Sequence, residues 1–198
     1  MKHVLFGAAA LFWVAGVSAQ QPAVPAPGAP PPAQQPPSDN PGPSMGERTG
    51  TNSLLKVTPS TEEFVRDAAT SDMFEIAESR LAAAQGSANT KIFANRMLKD
   101  HQQTTNQLTS LLQSGNVGAS PPGDLDAMHQ RRLEKLKDAK GSDFDKLYGQ
   151  DQIATHDEAV SLFERYAKSG DNPALKEWAG KTLPTLKAHQ KMAGSLSH

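Results

Sequence analysis

The chain has 198 residues, 37% of them hydrophobic, and its 20 basic and 21 acidic side chains leave a net charge of −1. That length suits one domain with appendages, and the lack of any basic field excludes nucleic acid as an expected partner. Cysteine is absent, which rules out disulfides, thiolate metal sites, cysteine nucleophiles and a lipidated N-terminal cysteine.

Residues 1–19 have the form of a signal peptide. Lys2 supplies the positive start, Val4 to Val17 the apolar run, and Val17-Ser18-Ala19 the small residues of a cleavage site. A spanning helix needs about 20 apolar residues. The run is shorter, so cleavage is expected, leaving a periplasmic or secreted chain with no transmembrane segment. Residues 20–57 read as a disordered Pro-rich linker or tail, because ten of the fifteen prolines fall between Pro22 and Pro43. Proline lacks a backbone donor, and almost nothing bulky and apolar is present to bury. Such a segment serves either as a spacer from a surface or as a tail with no partner.

From Thr58 the composition turns to helix formers, and residues 58–198 form the predicted domain. Thr58-Pro59 offers a cap with Pro in the first turn, and Ser60 with Glu63 offers a capping box one step later. The first long helix then runs to about Gln85, with Gly86 as a left-handed stop. Phe64, Ala68, Glu75 and Ala82 share one side of it. The second starts near Ser87 or Asn89 and ends at Gly115. It places Ala94, Met97, His101, Thr104, Leu108 and Leu111 on one seam.

Asp124 is the expected cap of a shorter helix through Leu136, closed by Gly141. Its basic stretch, His129 to Lys140, is diluted by Glu134 and Asp138 and reads as a solvated face. The third long helix starts at Ser142 or Asp143 and carries His156 among Ile153, Val160 and Phe163. Phe144 and Tyr148 are expected as core anchors, with Asp145 as a capping acid. Asn172-Pro173 opens the fourth, in which His189 lies among Leu186, Ala193 and Leu196. Pro184 should kink this helix over about 180–184 or break it in two. No stretch alternates as a strand does. The fold class is therefore all-α: an antiparallel four-helix bundle with an extra short helix between the second and third long helices.

Each long helix sets a polar group on its apolar side: Glu75, His101, His156 and His189. Asp100 adjoins His101, and Arg96 stands at the i,i+4 spacing of an ion pair with it. Buried polar groups must satisfy one another or hold a ligand. One reading is a structural network of Glu75, Arg96, Asp100, His101, His156 and His189. The other is a single divalent metal ion held by Glu75, His101, His156 and His189, a donor set suited to zinc, iron or copper. The Glu-x-x-His pair of di-iron bundles occurs nowhere in the chain. Composition is equally compatible with no cofactor.

The residues Phe64, Ala68 and Glu75, Phe93-Ala94, Met97, Asp100-His101, Phe144-Asp145-x-x-Tyr148, His156, Phe163 and Leu183-Pro184 with His189 resemble the bacterial "domain of unknown function 4142" family. Its members are often labelled outer-membrane or exported proteins. The resemblance spans about Thr58 to Leu196, implies a ferritin-like helical bundle, and brings no established catalytic residue. The expectation is an exported, non-enzymatic binding or structural module with an envelope partner. The alternative is a metal-binding or metal-dependent redox bundle.

Overall fold

The computed structural model describes residues 39–48, 50–114 and 117–196. The expected signal peptide and most of the Pro-rich tail lie outside these residues. The described residues form seven helices and no strand: α1 (Met45–Arg48), α2 (Thr51–Leu54), α3 (Thr61–Gln85), α4 (Ala88–Gln113), α5 (Ala127–Asp138), α6 (Gly141–Ser169) and α7 (Pro173–Ala193). None is long and apolar enough to cross a membrane.

Local chemistry sets the boundaries, sometimes a step away from the expected residue. The capping box prevails over Thr58-Pro59 at the start of α3: the Glu63 backbone N–H donates to Ser60 Oγ, and the Ser60 N–H to Glu63 Oε2. Gly86 is extended (φ −69°), not left-handed, because the chain passes at once into Ser87, the N-cap of α4. Asp126 caps α5 in place of Asp124, accepting from the Met128 and His129 N–H groups at 2.8 and 3.1 Å. Asp145 does not cap its own helix. Its carboxylate accepts the Ser87 N–H at 3.0 Å and so ties the α3–α4 turn to α6. Gly141 takes a left-handed φ of 55° between α5 and α6, where a side chain would be strained. Asn172 caps α7 as expected, and the helix runs unbroken through Pro184.

Residues 39–57, read from composition as tail, behave otherwise. They carry α1 and α2 and are tied to the long helices. Asn40 Nδ2 donates to Thr70 Oγ1 and the Asp124 carbonyl. Arg165, buried on α6, grips both Glu47 carboxylate oxygens at 2.8–2.9 Å and the Val57 carbonyl at 2.5 Å. A bidentate guanidinium–carboxylate pair of this kind fixes geometry as well as charge.

α3 packs on α4 and α6, α6 on α7, and α4 on α7, while α5 covers α3 and α6. The buried side chains divide into two clusters. In one, Phe64 stacks on Tyr166 (3.9 Å between centroids) beside Phe163 and Trp178; the other contains Phe93, Met97, Leu136, Phe144 and Tyr148. Along each long helix, Asp72, Glu75, Glu78 and Ser79 on α3, His101 on α4, Gln152, Thr155 and His156 on α6, and His189 on α7 fall between members of one cluster and members of the other. Passing from the Phe64 cluster to the Tyr148 cluster is forward along α3 and α7 and backward along α4 and α6. A polar layer thus crosses the core at mid-height, with apolar packing on both sides to hold it rigid.

Candidate metal centre

Helical periodicity brings His101 (α4), His156 (α6) and His189 (α7) to one point. They are 1–2% exposed, and their ring centroids form a nearly equilateral triangle with sides of 5.3, 5.5 and 5.6 Å. One ring nitrogen of each lies within 4.8 Å of the other two.

Each ring is anchored through one nitrogen. His101 Nδ1 is 2.8 Å from Asp72 Oδ1, His156 Nδ1 is 2.8 Å from the Gln152 carbonyl oxygen, and His189 Nε2 is 2.9 Å from Asp100 Oδ2. All three partners are acceptors, so these nitrogens carry the protons. The remaining nitrogens are His101 Nε2, His156 Nε2 and His189 Nδ1. They are buried and have no hydrogen-bond partner among the described residues. In neutral rings each presents a lone pair, and with the other nitrogens held by the protein, the lone pairs are left to face one another.

The anchors are themselves anchored. Thr104 and Thr105 hydroxyls reach the Asp72 carboxylate at 2.8 and 3.1 Å. Arg96 Nε donates to Asp100 Oδ2 in the expected i,i+4 pair. Arg96 is at the rim, however, not in the core: its side chain is 55% exposed and its bond goes to Asp100, not to an imidazole. Asp100 occupies only the outward nitrogen of His189. The arginine expected in a saturating network therefore leaves the centre open.

Glu75 does not complete the predicted four-donor set. Its carboxylate is fully buried, but Oε1 lies 3.6 Å from His156 Nδ1, the outward nitrogen, and Oε2 accepts from Gln152 Nε2 at 2.6 Å. The histidines stand as a group of three. Sequence reasoning missed Asp72, Glu78 and Gln152, all buried. Asp72 was findable, since Ala68, Asp72, Glu75, Ser79 and Ala82 follow the alternate four- and three-residue steps of a seam.

Electrostatics differ around the triangle. Burial pulls the His189 pKa down, with the neighbouring His101 and His156 adding to the effect against the Asp100 bond, and the result is about 4. At neutral pH His189 is uncharged, as a ligand must be. Burial opposes charge on His101 too, but the Asp72 bond and the nearby Glu75, Asp72 and Asp100 carboxylates outweigh it and raise its pKa. For Asp100, burial is outweighed by Arg96 and His189, which hold its pKa below the usual value.

Against this geometry, the sequence profile "Domain of unknown function (DUF4142)" matches residues 46–196. The chain belongs to that family. The DUF4142 match begins inside α1, so it includes the segment that Arg165 clamps as well as the four long helices. No curated protein and no solved structure matches the chain.

Proposed function

We propose that this DUF4142 protein binds one first-row divalent metal ion through His101, His156 and His189. The carrying observation is the set of three buried imidazole nitrogens left without partners while their opposite nitrogens are held by Asp72, Gln152 and Asp100. A purely structural network would satisfy those atoms, because an unpartnered buried polar group costs about 1–3 kcal/mol. A ligating histidine characteristically donates its second ring N–H to a carboxylate or a backbone carbonyl, which fixes tautomer and aim. Imidazole donors suit zinc, copper, nickel and iron. Zinc–nitrogen bonds of about 2.0–2.1 Å would require the rings to draw together by roughly 1 Å. Three protein ligands leave a coordination position for water or a small molecule, as in catalytic zinc sites.

The same proposal takes the helix arrangement as a ferritin-like four-helix bundle. Two antiparallel hairpins, α3–α4 and α6–α7, with α5 on the long connection between them, support that reading. It also takes the protein as exported, supported by the Lys2 and Val4–Val17 pattern.

The test is elemental analysis of tag-free protein incubated with zinc, copper or iron(II), beside a His101→Ala/His156→Ala variant. About one equivalent in the wild type and none in a folded variant is the expected result. A wild type that stays metal-free in all three incubations returns the histidines to a structural role, and the protein to the class of non-enzymatic envelope modules.

A further inference from the structure

Beside the histidines the core holds a second group of unsatisfied atoms with different chemistry. Glu75 and Glu78, three residues apart on α3, and Gln152 on α6 have no exposed surface. Gln152 Nε2 donates to Glu75 Oε2 at 2.6 Å and also to Glu78 Oε1, so one amide nitrogen bridges both carboxylates. Glu75 Oε1, Glu78 Oε2 and Gln152 Oε1 are then left buried without a hydrogen-bond partner among the described residues.

Two carboxylates held this close in an apolar interior repel, and each loses its hydration. Among the described residues no lysine or arginine pairs with either carboxylate. The Arg132 guanidinium, whose charge acts on Glu78, is committed elsewhere: Nη2 donates to Asp151 Oδ1 and Thr155 Oγ1 at 3.1 and 3.0 Å, and the group lies 4.6 Å from the Phe74 ring centre. The His156 Nδ1 proton goes to the Gln152 carbonyl oxygen, not to Glu75. The missing partner therefore has to be positive, small and oxygen-seeking.

We infer that Glu75, Glu78 and Gln152 form a second cation site, for a hard divalent ion such as manganese(II) or magnesium. Two carboxylates and an amide carbonyl are the oxygen donors these ions favour, whereas the three imidazoles favour softer ions such as zinc or copper. The core then holds two unlike ions side by side. The oxygen site draws its donors from α3 and α6 and needs no histidine nitrogen, so it stands or falls apart from the zinc proposal.

The experiment uses the full tag-free chain, first titrated with zinc and then with manganese(II), reading free manganese by its aqueous EPR signal. The expected result is one equivalent of manganese bound in addition to the zinc. Glu78→Gln should weaken manganese at least 10-fold while zinc stoichiometry is unchanged, and manganese should raise the Tm of the wild type but not of the variant. Gln152→Ala is the second variant, should the first fail to fold, with the same loss expected. The inference is overturned if manganese stays free in the wild type at 1 mM, if both variants bind it as the wild type does, or if manganese is taken up only by displacing zinc mole for mole. The last outcome would place manganese among the histidines, and the first would leave a proton to neutralise the carboxylates. Failure of zinc to bind, with manganese still taken up, would count against the histidine centre alone.

Discussion

His129 and the three core histidines are all buried and all bonded to an acceptor, yet they do different work. His129 sits in the first turn of α5, with Nδ1 2.5 Å from Asp126 Oδ2 and its ring 4.9 Å from that of Phe74. Its partner is the N-cap of its own helix, three residues away, so the contact is local and stabilises the start of α5. His101, His156 and His189 come from three helices, and each turns one unpartnered nitrogen toward the others. Burial and an acceptor partner are common to both cases. Convergence of unsatisfied atoms separates them.

The largest effect should come from the triangle. Replacing His101, His156 or His189 singly by alanine should weaken zinc more than about 100-fold by calorimetric titration, since the bonds that merely aim such ligands are commonly worth 10–100-fold. A zinc affinity unchanged by all three substitutions would erase the distinction from His129. Next come the anchors. Asp72→Asn keeps the shape but donates or accepts ambiguously toward His101, and should cost roughly 10–100-fold in zinc affinity with little change in fold. Far-ultraviolet circular dichroism and the same titration check this.

His129→Ala should do the reverse. It removes a bond to a carboxylate worth about 1.5–3 kcal/mol, so a Tm roughly 3–10 °C lower is expected, with zinc binding intact. The smallest effect concerns acid. Burial works against charge on Asp126, but the His129 contact and the N-cap bonds outweigh it and hold its pKa below the usual aspartate value. A lowered carboxylate contributes stability above its unfolded pKa and loses it as pH falls through the folded one. The Tm gap between wild type and Asp126→Asn should therefore be constant above about pH 4 and close below it. A gap that widens on acidification would mean that the cap is held by something other than charge.

How much of this the sequence disclosed depends on the range of the interaction. The long helices and their caps at Ser60, Ser87 and Asn172 follow from local chemistry, and the histidine seams follow from period. Glu78 on α3 and Gln152 on α6 escaped because both helices are covered on more than one side, α5 packing on each of them. α5 packs across α3, with Arg132 over Phe74, and buries positions that a single seam leaves to solvent. The short helix read as a spare piece of the connection is in fact a wall of the polar layer. Glu75 was assigned to the wrong partner for a similar reason: seam periodicity places it at the right height but does not tell which nitrogen of His156 it faces. Residues 39–57 escaped because their attachment rests on a pair 118 residues apart in the chain, Glu47 and Arg165, which leaves no local pattern.

That clamp also decides where a mechanical load would travel. Tension entering through the N-terminal segment meets the Asn40 bonds to Thr70 and Asp124 and then the Glu47–Arg165 pair before it reaches Ser60, and so bears sideways on α3 and α6 rather than on the end of α3. Arg165 lies nine residues beyond His156 on the same helix, about 13 Å at 1.5 Å per residue. The helix that supplies one imidazole and the bridging amide is thus one of the two that would feel a pull on the tether.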